Sequence, residues 1–169
     1  MRKPKKLTAL LLALTLLFAC AACASGNSTT DSGKTISGTL PEIIDRLYDT
    51  VDVDDEQRDF LKNSVGTVEI PKDQSAYYFG VENLDFEEAV ASEPLINAIA
   101  FSVCLMRVKD GTDIDELKAE IRRSANPAKW ICVDVNPNDV RVESVGDLVL
   151  LIMADDSEKY SEAFYALAE

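Results

Sequence analysis

Two apolar stretches in the C-terminal half constrain the fold more than any other feature of this chain. Leu148–Met153 consists of six consecutive apolar residues, and Ala98–Lys109 carries large apolar side chains at both odd and even positions. In an extended strand, odd and even positions face opposite sides of a sheet. A strand that is apolar on both sides must be covered on both sides. The two stretches therefore predict central strands of a covered sheet.

Helical spacing and capping residues predict helices beside these strands. The predicted helices are a short helical hairpin that begins near Leu40, a helix over Asp113–Ala125 and a closing helix over Asp155–Ala168. Further strands are predicted at Val65–Ile70, at Ala76–Val81 and at Val140–Glu143. The last of these forms a predicted hairpin with Leu148–Met153. The segment Glu87–Ser92 fits either a helix or a strand. The predicted strands and helices do not alternate strictly along the chain. The predicted class is therefore α+β, with an antiparallel or mixed sheet of about five to six strands and helices packed on it.

The first residues have the order of a bacterial export signal, which is basic, then apolar, then small. Arg2 and Lys3 open a basic start, and the run from Leu7 to Ala19 is apolar apart from two threonines. The end of this run, before Cys20, resembles the lipobox of bacterial lipoproteins. That resemblance implies removal of residues 1–19 and diacylglycerol on the Cys20 thiol, which would place the chain on the extracytoplasmic face of the cell membrane.

This start is also compatible with three different interpretations. Cys23 is an alternative lipidation site, because a small residue precedes it, but the residue three positions before it matches the lipobox poorly. The same start fits ordinary secretion or an uncleaved membrane helix, and the lack of a following basic cluster disfavours the helix. Residues 20–39 are small and polar, so they predict a disordered tether, with a single domain over residues 40–169.

Composition excludes several classes of function. The chain of 169 residues has 17 basic and 30 acidic residues, a net charge of −13 and no histidine. Without histidine there is no Ser-His-Asp or Cys-His catalysis and no histidine-ligated zinc. The acidic balance argues against a nucleic-acid partner, since binding to phosphate needs lysine and arginine. We expect no cofactor and no catalytic residue.

Two groups of residues are candidates for a role beyond packing. Cys104 and Cys132 are the cysteines of the predicted domain, and they form either a disulfide or two buried free thiols. Aromatic and basic side chains predict a possible ligand contact, with core packing as the alternative for the tryptophan. The candidate contacts are Tyr77, Tyr78, Lys129 and Trp130.

Two acidic segments suggest a metal site only weakly. Asp134–Asp139 has some of the oxygen spacing of a calcium loop, but it lacks the glycine and the bidentate glutamate that such a loop needs. The acidic run between Asp52 and Asp59 is typical of helix capping and of a solvated face. We therefore predict no metal site.

Several segments together resemble one protein family. These are Glu93-Pro94, the segment from Cys104 to Gly111, the segment from Asn126 to Val133 with its Lys-Trp-Ile-Cys sequence, and the later Val-Gly-Asp before an apolar strand. They are similar to Gram-positive bacterial lipoproteins that carry a domain of unknown function. The resemblance covers roughly residues 79–167. It implies a small domain exposed in the cell envelope, and it supplies no catalytic residues.

These observations predict a non-catalytic domain that is anchored to the membrane by lipid and binds a protein or a cell-wall component. The alternative is a receptor for a small ligand or ion, with an aromatic and acidic pocket. Both functions belong to binding proteins rather than to enzymes.

The predicted anchor can be tested on the native product. Mass spectrometry is expected to find residues 1–19 removed and Cys20 carrying diacylglycerol, because the lipobox places cleavage directly before that cysteine. A native product that retains the leader, or that has an unmodified thiol at Cys20, would contradict the predicted location.

Overall fold

The computed structural model describes residues 33–169, where five strands form one antiparallel sheet. In chain order the elements are α1 (Leu40–Thr50), α2 (Asp55–Asn63), β1 (Val65–Glu69), α3 (Ser75–Phe79), β2 (Phe86–Pro94), β3 (Ser102–Val108), α4 (Ile114–Ser124), β4 (Val140–Val145), β5 (Leu148–Met153) and α5 (Ser157–Ala166). Short 3-10 turns precede α3 and β4. The strand order is β1-β2-β3-β5-β4. The predicted α+β class is confirmed.

The two stretches that are apolar on both sides form interior strands of this sheet. β3 pairs with β2 and β5, and β5 pairs with β3 and β4. All six residues of β5 are buried. The predicted hairpin is present, since β4 and β5 are joined by Gly146-Asp147. The ambiguous segment Glu87–Ser92 is part of strand β2.

A separate hydrophobic core lies on each face of the sheet. On one face Val103, Leu105 and Leu150 pack with apolar residues of α1 and α5, including Leu47 and Phe164. On the other face Cys104, Met106 and Leu151 pack with Phe79 of α3 and Ile121 of α4. Double coverage explains why β3 and β5 lack polar alternation.

Capping residues begin the helices where the sequence places them. The Thr39 hydroxyl accepts a hydrogen bond from the Glu42 backbone N–H, and the Glu42 carboxylate accepts one from the Thr39 N–H. Asp54 and Asp113 cap α2 and α4 in the same way, through their carboxylates. Each cap satisfies a backbone donor that the helix leaves unpaired.

The prediction of a strand at Ala76–Val81 is wrong. Residues 75–79 form helix α3, which ends at Gly80 in the left-handed conformation, with φ of 77°. The helix buries Phe79 completely and leaves Tyr77 exposed. A segment this short fits either a helix or a strand, because three successive aromatic residues show neither helical nor strand periodicity.

The predicted disordered tether extends too far toward the C-terminus. Ile36 is buried in the core beside α1, and Thr35 exchanges two backbone hydrogen bonds with Glu169. The folded domain therefore begins before Leu40. The signal for this earlier start was Ile36, a single apolar residue in a polar segment. The predicted leader, Cys20 and Cys23 lie outside the described residues.

The contact between the ends of α3 and α4 gives a matched pair of glycine variants. A Cβ on Gly80 would lie 2.0 Å from the Ser124 carbonyl oxygen, whereas a Cβ on Gly111 would meet nothing within 4 Å. Both glycines have positive φ. We expect Gly111→Ala to lower the free energy of unfolding by about 1 kcal/mol, through backbone strain alone. We expect Gly80→Ala to lower it by about 3 kcal/mol or more, because steric overlap adds to that strain. Urea unfolding measures both, and equal losses would contradict the close contact.

Candidate functional site

The Lys129 ammonium lies inside a cluster of aromatic side chains at one end of the sheet. Its Nζ atom is 4.9 Å from the ring centroid of Tyr77, 5.3 Å from that of Tyr78 and 5.4 Å from that of Trp130. These distances are within the range at which ring faces attract a cation. Only 3% of the Lys129 side chain is exposed. The four residues predicted as ligand contacts are therefore brought together.

Two polar side chains on the sheet complete this cluster. The Lys129 ammonium donates to the Glu93 carboxylate at 2.5 Å and to the Ser102 hydroxyl at 3.1 Å. The Ser102 hydroxyl donates in turn to Glu93 at 2.7 Å. The buried charge is paired and hydrogen-bonded, as a charge removed from water must be.

The cluster joins segments that are far apart in the sequence. Tyr77 and Tyr78 are successive residues of the short helix α3, and their rings meet edge to face at 4.9 Å. Glu93 is the penultimate residue of β2 and Ser102 is the first residue of β3. These strands form an antiparallel pair in which Ser92 lies opposite Val103. Lys129 follows Asn126-Pro127, the pair that stops α4. No pattern local to one segment of the sequence predicts this convergence.

Two of the four residues predicted as ligand contacts are buried. Lys129 is bound by the protein's own side chains, and Trp130 is 7% exposed and packs in the core beside Ile121. Trp130 thus has a packing role, which is the alternative to a ligand contact. Tyr78 is partly buried, and Tyr77 is exposed to 47%. Among these four, Tyr77 is the most exposed.

The predicted disulfide is not formed, because Cys104 and Cys132 are both free. Cys104 is buried, and its Sγ atom lies 3.4 Å from the Ser102 hydroxyl. Burial raises the pKa of the Cys104 thiol to about 11, although the nearby Lys129 charge opposes the shift. Cys132 is exposed with φ of 63°, so the expectation of two buried thiols is wrong for this residue.

Exposed aliphatic residues adjoin the Lys129 cluster in the chain, after Pro94 and after Trp130. Leu95, Ile96 and Ile131 are exposed to 73%, 62% and 65%. The Ile131 N–H donates to the Asn97 carbonyl at 3.3 Å, which brings the two loops together. We call these three residues and Val68 the aliphatic rim.

Val68 belongs to the rim through the geometry of β1. Gly66 and Val68 are two residues apart, so both face the same side of the sheet. Leu95 covers that side, because its Cδ2 atom lies 3.1 Å from the position that a Cβ on Gly66 would take. Val68 is exposed to 52% on this surface. Large exposed apolar groups that gather in one place indicate an interaction surface more strongly than scattered ones.

Strand β1 lies beside this rim and forms an open edge of the sheet. Leu95 donates to the Ser64 carbonyl, and Ile70 donates to the Ala89 carbonyl. Antiparallel hydrogen bonds alternate along a strand, so Gly66 and Val68 face β2. Thr67 and Glu69 therefore direct their N–H and C=O groups away from β2. Within residues 33–169, no hydrogen bond reaches these outward groups.

The sequence predictions include neither the aliphatic rim nor the open edge of β1. The pair Leu95-Ile96 after Pro94, in a loop between two strands, was an available signal, since loops rarely carry two large aliphatic residues without a contact to make. The edge position of β1 depends on strand order, for which the sequence has no local signal.

The acidic segments give no metal centre in the part of the chain that the structure describes. No group of three or more acidic or cysteine side chains there is placed to hold an ion. Pro137–Asp139 forms a 3-10 turn, with the Asn136 amide oxygen accepting from the Asn138 N–H. No described helix has both the length and the apolar character needed to cross a membrane.

Comparison with protein-family models, with curated proteins and with solved structures found no match to this chain. The resemblance to Gram-positive lipoproteins therefore stays a prediction.

The Lys129–Glu93 pair can be tested by a double-mutant cycle. Removal of one partner of a buried ion pair costs about 3 kcal/mol or more, because the other charge stays buried and unpaired. We expect Lys129→Met and Glu93→Gln each to destabilise the fold strongly, and the double variant to lose much less than their sum. Lys72→Met is the control, since the Lys72–Asp85 pair is exposed and contributes at most about 1 kcal/mol. Additive losses in urea unfolding would show that the two side chains do not interact.

Proposed function

We propose that this chain is a lipid-anchored, extracytoplasmic binding protein that captures an extended segment of a partner protein. The segment pairs with the open edge of β1 and packs its alternate side chains on the aliphatic rim. The observation that carries the proposal is the position of the rim beside backbone groups of Thr67 and Glu69 that make no hydrogen bond within residues 33–169.

The chemistry of the edge favours a polypeptide partner over a polysaccharide. Outward groups recur at every second residue of β1, which matches the hydrogen-bonding repeat of another strand. Pairing at a sheet edge gives a bound peptide affinity through its main chain and specificity through alternate side chains. The rim supplies the apolar contacts for those side chains.

Strand β1 has few of the devices that usually protect an edge. Natural sheets block exposed edges with proline, with lysine or with inward-pointing charges. Val65–Glu69 contains none of these and ends in one acidic residue. An unprotected edge beside exposed aliphatic groups is an aggregation hazard, so its retention supports a binding role.

A non-catalytic role fits the reactive groups nearest the rim. The Lys129 ammonium and the Ser102 hydroxyl are held by Glu93, and the Cys104 thiol is buried with a raised pKa. Activation of a nucleophile requires a base or a lowered pKa beside it. The chain has no histidine, and the Glu93 carboxylate that accepts from Ser102 is already paired with the Lys129 ammonium.

The membrane anchor is the second part of the proposal. It rests on the lipobox-like segment before Cys20 and on the resemblance to Gram-positive lipoproteins. Two acyl chains on one cysteine hold a protein firmly, because each buried CH₂ contributes about 0.8 kcal/mol. Such an anchor would present the β1 edge to partners at the cell surface.

Photo-crosslinking from β1 in intact cells tests the binding role. We expect a photoreactive residue at position 67 of the full-length protein to give one discrete adduct. The double variant Val68→Lys with Leu95→Lys should abolish it, because charge replaces the apolar contact without loss of buried packing. A photoreactive residue at Asp110, in the exposed turn after β3, is the positional control and should give no such adduct.

Two outcomes would contradict the proposal. The first is an adduct that persists in the double variant or forms equally from position 110. The second is an adduct of twice the protein's own mass, which would assign the edge to a second copy of this chain.

A further inference from the structure

The two sides of strand β1 present different chemistry to a segment that pairs with its open edge. Val65, Thr67 and Glu69 lie on one side of the strand, because successive side chains point in opposite directions. Val65 packs against the core that contains α1 and α5. Gly66 and Val68 lie on the other side, which is the side of the aliphatic rim. A segment added at this edge therefore meets two different surfaces at alternate residues.

The rim side of β1 is apolar as far as the edge. Val68 is exposed to 52% and Leu95 to 73%. The Leu95 side chain lies over Gly66, since its Cδ2 atom is 3.1 Å from the position that a Cβ on Gly66 would take. The Glu93 carboxylate, opposite Gly66 on β2, is already paired with Lys129. An added strand would lie about 4.8 Å from β1, so its side chains on the rim side would contact apolar groups.

The other side of β1 is polar and carries an unpaired carboxylate. Thr67 and Glu69 are both exposed. The Glu69 side chain makes neither a hydrogen bond nor an ion pair with any residue from 33 to 169. Val90 lies opposite Glu69 on β2 and offers no countercharge. Opposite charges on facing residues of neighbouring strands attract each other, so a basic residue of the added segment has a defined place beside Glu69.

The charge of the whole chain favours the same kind of partner. The net charge of −13 attracts basic segments and repels acidic ones beyond contact distance. A second copy of this chain matches the edge less well. Its β1 would bring no basic residue to Glu69, because Val65–Glu69 contains none, and the two copies would carry the same charge.

We propose that the segment captured at β1 alternates apolar and basic residues, an inference that rests on the proposed function and names the chemistry of its partner. The apolar side chains lie opposite Gly66 and Val68 and pack on the aliphatic rim. A lysine or arginine lies opposite Glu69, on the other side of the sheet. The main chain of the segment supplies affinity, and the alternation supplies selectivity.

Peptide titration of the ¹⁵N-labelled full-length protein in non-ionic detergent tests this selectivity. The probe is acetyl-Lys-Val-Lys-Val-Lys-amide, whose palindromic order places valine opposite Gly66 and Val68 in either strand direction. Three control peptides have the block order Lys-Lys-Lys-Val-Val, serine in place of each valine, or glutamate in place of each lysine. We expect the probe to cause saturating shifts at amides of residues 65–69 and 95–96. Each control should bind at least about threefold more weakly.

Two glutamate variants separate a contact at β1 from the general charge of the protein. Glu69→Gln should weaken binding of the probe about threefold, the size expected for one cross-strand charge pair. Glu162→Gln removes the same charge from an exposed position of α5. Helix α5 contacts β4 at the far edge of the sheet, and four strand spacings of about 4.8 Å separate β4 from β1. In about 0.15 M salt such a distance is screened, so Glu162→Gln should leave the affinity unchanged.

Several results would overturn the inference. Equal binding of the block-ordered peptide would show charge attraction without strand pairing. Equal binding of the serine or the glutamate peptide would show that the apolar or the basic residues are not recognised. Equal effects of Glu69→Gln and Glu162→Gln would place the basic residue away from β1, and a probe without saturating shifts would remove the inference altogether.

These failures are distinguishable from failure of the proposed function. Photo-crosslinking from position 67 reports a partner at the edge whatever the sequence of its segment. A discrete adduct that the Val68→Lys and Leu95→Lys double variant abolishes would leave the binding role standing while the peptide results reject the alternating basic segment. Loss of both the adduct and the peptide binding would reject the binding role itself.

Discussion

The burial of β3 and β5 on both faces is the constraint on which the rest of this structure depends. Each interior strand exposes two apolar sides, so α1 and α5 must cover one face while α3 and α4 cover the other. The faces are then occupied, and the sheet can pair further only at its edges.

The two edges of the sheet, β4 and β1, differ. β4 is tied to the neighbouring helices through Lys118–Ser144 and Arg141–Ser157, and Glu143 accepts from Tyr165. β1 has no comparable ties in residues 33–169.

Lys129 positions the segments that meet at its own end of the sheet. Its ammonium holds the two tyrosines of α3 and the carboxylate of Glu93 around one point. The loop after α4 is thereby fixed against the end of β2, and Ile131 is placed next to the Leu95 loop. A buried ion pair adds little net stability compared with apolar packing. Its role here is positional, because it sets the aliphatic rim beside β1.

The sequence predicted the parts of the fold that rest on strong local patterns. The double-sided apolar runs identified β3 and β5, and the predicted helix starts near Leu40 and at Asp113 lie at the observed caps Thr39 and Asp113. Weak or isolated signals failed. Ile36 is a single apolar residue among polar neighbours, and the α3 aromatic residues fit either a strand or a helix.

The candidate site was less predictable than the fold, for a physical reason. Tyr77, Glu93, Ser102 and Lys129 come from four segments, and tertiary packing alone brings them together. Lys129 and Trp130 were predicted from the sequence as candidate ligand contacts. The sequence does not show that the protein's own side chains surround the Lys129 ammonium.

Amide hydrogen exchange along β1 is the most direct measurement of the central claim, which is that this edge is open in the free protein. We predict slow exchange at Gly66 and Val68, whose N–H groups face β2, and fast exchange at Thr67 and Glu69, whose N–H groups face outward. Equal protection at all four amides would show that another segment or another molecule already covers the edge, and it would contradict the account.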